Sequence, residues 1–179
     1  DTTPEHMGVV YLFMMNNTGA WSCSGTLITP TVILTAGHCV TDRDENIIAP
    51  GDATVSFGNT VGSMTERSVA EVHRHPEYEN VVPVPNDIAM LVLSQAAPQW
   101  ATPIPHLPPA LKITDEDIGE VIEFVGFGVD ENGDSGTKLK IDGTIAAVCE
   151  VEGCSASMVS YSMCYQQNDG GICSGDSGG

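Results

Sequence analysis

The sequence has little positive charge, no long apolar run and no two cysteines in a CxxC arrangement. Six Lys and Arg stand against 24 Asp and Glu, which gives a net charge of −18. A field of this sign repels phosphate groups, so we expect neither nucleic acid nor an anionic membrane as a partner. No apolar run approaches the ~20 residues of a membrane-spanning helix. Without CxxC pairs, the common zinc and thioredoxin patterns are excluded.

The excess of acidic residues has two interpretations. An acidic surface increases solubility, and it also attracts positively charged substrates. Composition alone does not establish the second, so we interpret the charge as a solubility feature.

Six cysteines in 179 residues indicate disulfides rather than metal-binding thiols, because their spacings match no zinc pattern. Disulfides persist in oxidising compartments. The sequence therefore predicts a secreted protein, extracellular or periplasmic.

Short apolar or β-branched runs recur along the chain between Gly, Asn, Asp and Pro residues, as in GVVYLFM, TVILTAG, IAMLVL and VIEFVGFG. Many short strands separated by turn signals predict an all-β barrel or sandwich. Five prolines and no charge between Leu93 and Leu111 predict an extended connector, because proline cannot donate into a strand ladder. We therefore divide the chain into an N-terminal unit (1–95), a connector (96–111) and a C-terminal unit (112–179).

Two acidic clusters and a histidine pair are candidate metal sites. The clusters, at residues 115–117 and 130–134, offer the oxygen ligands that calcium prefers. Neither completes an EF-hand loop, which also needs a terminal bidentate Glu, so we expect solvated turns. His73 and His75 could share one face of a strand, and we expect an ordinary surface strand there.

Three segments carry groups for catalysis: TAGHC with His38, NDIAML with Asp87, and CSGDSGG with Ser177. Singly, His38 could be a structural histidine or a metal ligand beside Cys39, and Asp87 could simply open a strand. Together they supply a nucleophile, a base and a carboxylate. A hydroxyl is a weak nucleophile until an imidazole removes its proton, and the imidazole must itself be oriented.

The GDSGG segment also matches the nucleophile elbow of α/β-hydrolases, in which Asp and His follow the serine. Here both candidates precede Ser177, and strands do not alternate with helices. The elbow interpretation is therefore excluded.

The order His38, Asp87, Ser177 is that of the chymotrypsin triad. With WSCSGTLI before the histidine and the bend GFG at 126–128, the chain resembles the trypsin-like (chymotrypsin-fold) serine proteases over nearly its whole length. The resemblance implies two antiparallel six-stranded Greek-key barrels with the active site between them, the second barrel being incomplete in this chain.

The resemblance also implies a role for each matching residue. Ser177 attacks the scissile carbonyl, His38 transfers the proton, and Asp87 orients the imidazole. The backbone N–H groups of Gly175 and Ser177 form the oxyanion hole.

Further positions receive structural or specificity roles by the same resemblance. Asp176 would pair with a free N-terminal amine on activation. Gly171 would lie at the base of the primary pocket, where the lack of a carboxylate favours an uncharged substrate side chain over Lys or Arg.

Cysteine pairing follows only in part. The resemblance implies a bridge between Cys23 and Cys39 that closes the histidine loop. The last four cysteines allow three pairings. By resemblance, Cys164 would pair with Cys149 or Cys154, and Cys173 with a cysteine beyond this chain.

The chain departs from the family pattern at both ends. It stops at Gly179, two residues after the candidate nucleophile, so we expect the remaining strands to belong to a C-terminal segment of the same protein. It begins with Asp1-Thr2-Thr3 rather than an Ile-Val-Gly-Gly-like segment, which leaves open whether the chain is active or a precursor.

The function that these residues predict is a secreted serine endopeptidase, acting on protein or peptide substrates without a cofactor or metal. A catalytically silent relative used for binding is the alternative, and an acidic calcium-binding structural domain is a third interpretation.

Overall fold

The computed structural model describes residues 1–82, 84–149, 162–166 and 171–179. Within these ranges the regular structure consists of short strands and single-turn 3-10 helices, without an α-helix. The strands are β1 (Val9–Asn16), β2 (Gly19–Thr29), β3 (Val32–Thr35), β4 (Ala53–Phe57), β5 (Thr65–Arg74), β6 (Ala89–Leu93), β7 (Val121–Gly126), β8 (Leu139–Cys149) and β9 (Ser162–Gln166). The 3-10 turns are Pro4–His6, His38–Val40, Pro50–Asp52, Pro109–Leu111 and Asp115–Asp117. The prediction of an all-β chain is confirmed.

The first six strands close into an antiparallel barrel in the order β1-β2-β3-β6-β5-β4. Alternation along each strand produces its core, because successive side chains point to opposite faces. In β1, Val10, Leu12 and Met14 are fully buried, whereas Phe13 and Met15 are exposed. The six-stranded first barrel expected from the resemblance is present.

The described residues of the C-terminal part of the chain contain a three-stranded antiparallel sheet in the order β7-β8-β9. This sheet is the part of the expected second barrel that the described residues contain. The ring of Phe127, just after β7, meets Tyr11 of β1 edge-on, with ring centroids 5.7 Å apart. The division of the chain at 96–111 stays a prediction. Among the described residues, none of the helices is long and apolar enough to span a membrane.

Lys138 is a fully buried cation directly before β8. Its Nζ donates a hydrogen bond to the His6 carbonyl at 2.9 Å and lies 5.5 Å from the Phe127 ring centroid. Burial lowers the pKa of Lys138 from 10.5 to about 8. The buried ammonium thus opposes folding at neutral pH.

We expect the free energy of unfolding to rise with pH above about 8, because the unfolded chain then keeps a proton on Lys138 that the folded chain has released. The rise should reach up to about 3 kcal/mol near pH 10.5. Urea unfolding from about pH 7 to 10, with the free thiols alkylated, measures it. Lys138→Met should abolish the rise, and Lys140→Met, at an exposed lysine, should retain it. An equal rise in wild type and Lys138→Met would contradict this assignment.

Candidate active site

Strand register brings His38 and Asp87 together. Strand β3 pairs with β6 so that Thr35, at the end of β3, lies opposite Ala89, at the start of β6. His38 follows β3 by three residues and Asp87 precedes β6 by two, so the two side chains meet at one end of the barrel. His38 Nδ1 lies 2.8 Å from Asp87 Oδ2, and the His38 backbone N–H donates to Asp87 Oδ1 at 2.8 Å.

The pair is partly open to solvent, with side-chain exposures of 43% for His38 and 27% for Asp87. Burial raises the pKa of Asp87, but hydrogen bonds from the side chain and backbone of His38 lower it by more, and the net shift is below its usual 3.8. Asp87 is therefore ionised at neutral pH. An ionised carboxylate at Nδ1 holds the imidazole in the tautomer whose Nε2 can accept a proton.

The turn that carries His38 rests on an aromatic side chain. A Cβ on Gly37 would lie 2.8 Å from Cδ2 of Tyr78, so only glycine fits there without displacing the ring. The guanidinium of Arg74 stacks over Tyr78 at 4.8 Å from its centroid. Arg74 also donates to Thr41 Oγ1 at 2.8 Å, and Thr41 Oγ1 donates to the Gly37 carbonyl at 2.8 Å. Sequence reasoning missed this support, because an aromatic residue in a loop has no distinctive spacing.

The same turn is held by a disulfide. Cys23 of β2 and Cys39 are bonded, which confirms the predicted bridge. His38 lies beside the two sulfur atoms, with a ring nitrogen within 4.8 Å of both. Because both sulfurs are used in the disulfide, they offer no thiolate to a metal, and the interpretation of His38 as a ligand beside Cys39 loses its partner.

Replacing both cysteines, Cys23→Ala with Cys39→Ala, should lower the free energy of unfolding by about 3 kcal/mol, because the bridge closes a loop across 16 positions. Urea unfolding of the purified double variant measures the loss. A variant with both exposed free thiols removed, Cys164→Ala with Cys173→Ala, is the matched control and should unfold within about 0.5 kcal/mol of wild type. Equal stability of the two double variants would contradict this role of the bridge.

The loop that carries Ser177 lies between β2 and the bend at residues 126–128. The Ser177 carbonyl accepts a hydrogen bond from the Ser24 N–H at 2.9 Å, and the Val129 N–H donates to the Ser174 carbonyl at 3.0 Å. Gly175 is buried and has a φ of +98°, a conformation that only glycine adopts readily. The loop conformation therefore depends on glycine at this position.

Asp176 points back into the molecule and holds the same loop. Its Oδ1 accepts the Gly128 N–H at 2.7 Å, and its Oδ2 accepts the Cys173 N–H at 2.9 Å. A Cβ on Gly126 or Gly128 would come within 2.3 Å of this carboxylate, which explains the GFG bend. No ion pair reaches Asp176 from any described residue, so its predicted role as the partner of an N-terminal amine stays a prediction.

Among the described residues, the candidate nucleophile Ser177 and the candidate base His38 are not hydrogen-bonded to each other. No hydrogen bond between described residues joins His38 Nε2 to Ser177 Oγ. The N–H groups of Gly175 and Ser177 likewise donate to none of the described residues. An oxyanion hole requires such N–H donors close to the attacking hydroxyl, so the assignment of these two groups to it stays a prediction.

Only part of the region around Gly171, the candidate pocket residue, and the last four cysteines falls within the described residues. Gly171 is half-buried. Asp169, the carboxylate nearest to Gly171 in sequence, lies outside the described residues, and so does Cys154. Cys149 is disulfide-bonded, whereas Cys164 has a free thiol. The bridge from Cys164 that the resemblance implied is therefore not formed, and Cys173 is also free.

The candidate metal sites form local turns and surface pairs. Asp130 Oδ1 accepts the N–H groups of Asn132 and Asp134, both at 2.9 Å, and Asp117 caps its own 3-10 turn through the Thr114 N–H at 2.7 Å. His73 Nε2 lies 2.7 Å from Glu71 Oε2, and His75 Nδ1 accepts the Glu77 N–H. These carboxylates and rings are thus engaged by groups of the protein itself.

Two recesses lie on the surface of the first barrel. One of about 200 Å³ adjoins His38 and is lined by Trp21, Thr41, Asp42 and Arg43 among others. The larger, about 370 Å³, lies over β1 and β4 and contains none of the candidate catalytic residues. Of these two recesses, only the smaller adjoins a candidate catalytic residue.

Comparison with known proteins covers almost the whole chain. Residues 2–179 match the family profile described as Trypsin. Trypsin of Squalus acanthias is 30% identical over 91% of this chain and 70% of its own length. Chymotrypsin-C of Bos taurus is 28% identical over 93% of this chain and 63% of its own length. An Inactive CLIP domain-containing serine protease A28 of Anopheles gambiae is 31% identical over 69% of this chain, which spans only 33% of that relative.

Proposed function

This chain belongs to the trypsin family, and we propose on that basis that it is the catalytic part of a secreted serine endopeptidase. Ser177 is the nucleophile, His38 the general base and acid, and Asp87 the residue that orients His38. The N–H groups of Gly175 and Ser177 receive the oxyanion. No cofactor or metal takes part in this proposal.

The observation that carries the proposal is the geometry around Asp87. Its two oxygens accept from the imidazole and the backbone N–H of one residue, His38, at 2.8 Å each. A surface aspartate that merely begins a strand has no need of both contacts. Together they set the position and the rotation of the ring, which a general base requires.

The chemistry follows from these positions. His38 Nε2 takes the proton of Ser177 Oγ as this oxygen bonds to the carbonyl carbon of the scissile peptide. The carbonyl electron pair moves to oxygen, which the N–H groups of Gly175 and Ser177 stabilise. When the tetrahedral intermediate collapses, His38 returns the proton to the leaving amine, and water later releases the acyl group by the same route.

The missing hydrogen bond between His38 and Ser177 is compatible with this proposal, because catalytic hydrogen bonds often tighten only when substrate binds. It also favours the alternative of a catalytically silent binding domain. One of the relatives is itself named as inactive, which also supports that alternative.

Substrates are proposed from the residues near the site. We expect protein or peptide substrates with an uncharged side chain before the scissile bond, because Gly171 supplies no charge to the pocket base. The residue after the scissile bond would face the recess beside His38.

Active-site phosphonylation tests the proposal. With an alkyl fluorophosphonate, Ser177 Oγ should bond to phosphorus as fluoride leaves, adding one phosphonyl mass per native protein molecule. Peptide mapping should place that mass on Ser177, and His38→Ala should slow labelling by orders of magnitude. A folded native protein that stays unlabelled while bovine trypsin in the same tube reacts would favour the silent binding domain.

A further inference from the structure

Ser24 of β2 is a fully buried polar residue. It contacts the loop of residues 173–179 that carries Ser177, here called the nucleophile loop, at Gly175 and at Ser177. Its Oγ donates a hydrogen bond to the Gly175 carbonyl at 2.9 Å. The same Oγ accepts the Phe127 N–H at 2.9 Å. Its backbone N–H donates to the Ser177 carbonyl at 2.9 Å.

These contacts join three separate parts of the chain. The hydroxyl links the first barrel to the bend at 126–128 and to the loop at 173–179, across separations of 103 and 151 positions. Because a hydroxyl is both donor and acceptor, one atom satisfies a buried N–H and a buried carbonyl. An apolar side chain would leave both without a partner, which is costly in a buried site.

The packing around Ser24 leaves little freedom. A Cβ on Gly126 would lie 3.1 Å from Ser24 Oγ, and a Cβ on Gly178 would lie 2.7 Å from the Ser24 carbonyl oxygen. That carbonyl also accepts Thr35 Oγ1 at 2.8 Å. Ser24 is thus packed between strand β3, strand β7 and the loop that carries Ser177, which fixes the position of its hydroxyl.

The bonded carbonyls adjoin the two candidate oxyanion donors. The Gly175 carbonyl belongs to the peptide between residues 175 and 176, which lies between the two peptides that carry the N–H groups of Gly175 and Ser177. The Ser177 carbonyl belongs to the peptide that follows them. The two candidate oxyanion donors, the N–H groups of Gly175 and Ser177, lie on this stretch. Donors misplaced by about 1 Å lose much of their effect on the transition state.

We propose that Ser24 is a positioning residue for the oxyanion hole, acting through its hydroxyl on the Gly175 carbonyl and the Phe127 N–H. This inference rests on the proposed function, since an oxyanion hole has a use only in an acyl-transfer enzyme. Ser24 itself does not touch the substrate. Its effect should therefore appear in the transition state and not in substrate binding.

Ser24→Ala tests the proposal in the native protein. With a chromogenic peptide amide, kcat should fall about 10²-fold, while KM should change less than about threefold, because the interaction operates only as the oxyanion forms. The inhibition constant of a peptidyl trifluoromethyl ketone, whose hemiketal oxygen occupies the oxyanion position, should rise by the same factor as kcat falls. Ser24→Cys, which keeps a weak donor and acceptor, should recover part of the loss.

Ser56→Ala is the matched control, because Ser56 is also a buried serine on a strand of the same barrel. It should leave kcat and the ketone inhibition constant within about twofold of wild type, far less than the change expected for Ser24→Ala. Ser24→Ala values within twofold of wild type would overturn the proposal. So would a rise in KM that alone accounts for the loss.

Hydrogen exchange reads the same contact without turnover. In Ser24→Ala the Phe127 amide should exchange at least about tenfold faster than in wild type and in Ser56→Ala, since its acceptor is gone. An unchanged Phe127 rate overturns the positioning role even if the protein proves inactive. A different result would overturn the proposed function. If the wild-type protein showed no Ser177-dependent turnover while the Phe127 amide exchanged as expected, the Ser24 contacts would be real but would serve no catalysis.

Discussion

Ser177→Ala should lower kcat on a peptide amide about 10⁶-fold and leave the fold intact. Members of a Ser-His-Asp unit act together, so the removal of the nucleophile costs nearly the whole contribution of the unit. The residual rate then comes from binding and the oxyanion donors alone. Structural loss should be small, because the loop is held by the Ser177 backbone carbonyl and the Asp176 carboxylate, not by the Ser177 hydroxyl.

Ser174→Ala is the control for this experiment. Ser174 lies three positions earlier in the same loop, is exposed, and is held through its carbonyl. Its substitution should preserve kcat within about twofold, since it removes neither a donor nor the nucleophile. If Ser177→Ala kept more than about one thousandth of wild-type kcat, hydrolysis would have to proceed without this nucleophile.

Asp87→Asn should lower kcat about 10⁴-fold near neutral pH, the second largest effect we expect. Asparagine keeps the shape of the side chain but places an N–H₂ group where a carboxylate oxygen now accepts from the ring. His38 would then adopt the tautomer that presents a proton, not a lone pair, to Ser177. Steady-state kinetics with the same peptide amide measure the loss, and KM should change far less than kcat.

The same substitution should change stability at acid pH. The pKa of Asp87 is lowered in the folded chain, so the carboxylate stabilises the fold above about pH 4 and ceases to do so as pH falls through its folded value. Asp87→Asn should therefore make the free energy of unfolding less dependent on pH in the acid range.

Asp52→Asn is the control for the kinetic loss. Asp52 likewise accepts a backbone N–H, from Ala49 at 3.1 Å, and its substitution should retain full kcat. Equal kinetic losses in the two variants would contradict the orienting role of Asp87.

Much of the first barrel was predictable, because alternation of apolar and polar residues in runs such as GVVYLFM reports directly which face of a strand is buried. The disulfide between Cys23 and Cys39 followed from family resemblance. The bridge that the same resemblance implied for Cys164 was wrong, since a disulfide forms only where the fold of this particular chain brings two sulfurs within bonding geometry.

The site was predictable as a set of groups but not as a geometry. Sequence motifs named His38, Asp87 and Ser177, and their chemistry explains why these residue types belong together. Nothing in the motifs indicated Tyr78 beneath Gly37. The absence of a hydrogen bond between His38 and Ser177 was equally invisible, because hydrogen bonding requires distances that only packing sets.

The amino-acid sequence by itself determined the all-β class, the family and the candidate catalytic residues of this chain, because strand alternation and catalytic motifs are local properties of short segments. Tertiary structure alone decided the role of Ser24. Within WSCSGTLI this serine is indistinguishable from a small strand residue, and its function arises from contacts with Phe127 and Gly175 more than 100 positions away. Such contacts depend on how the first barrel packs against the nucleophile loop, which no local pattern encodes.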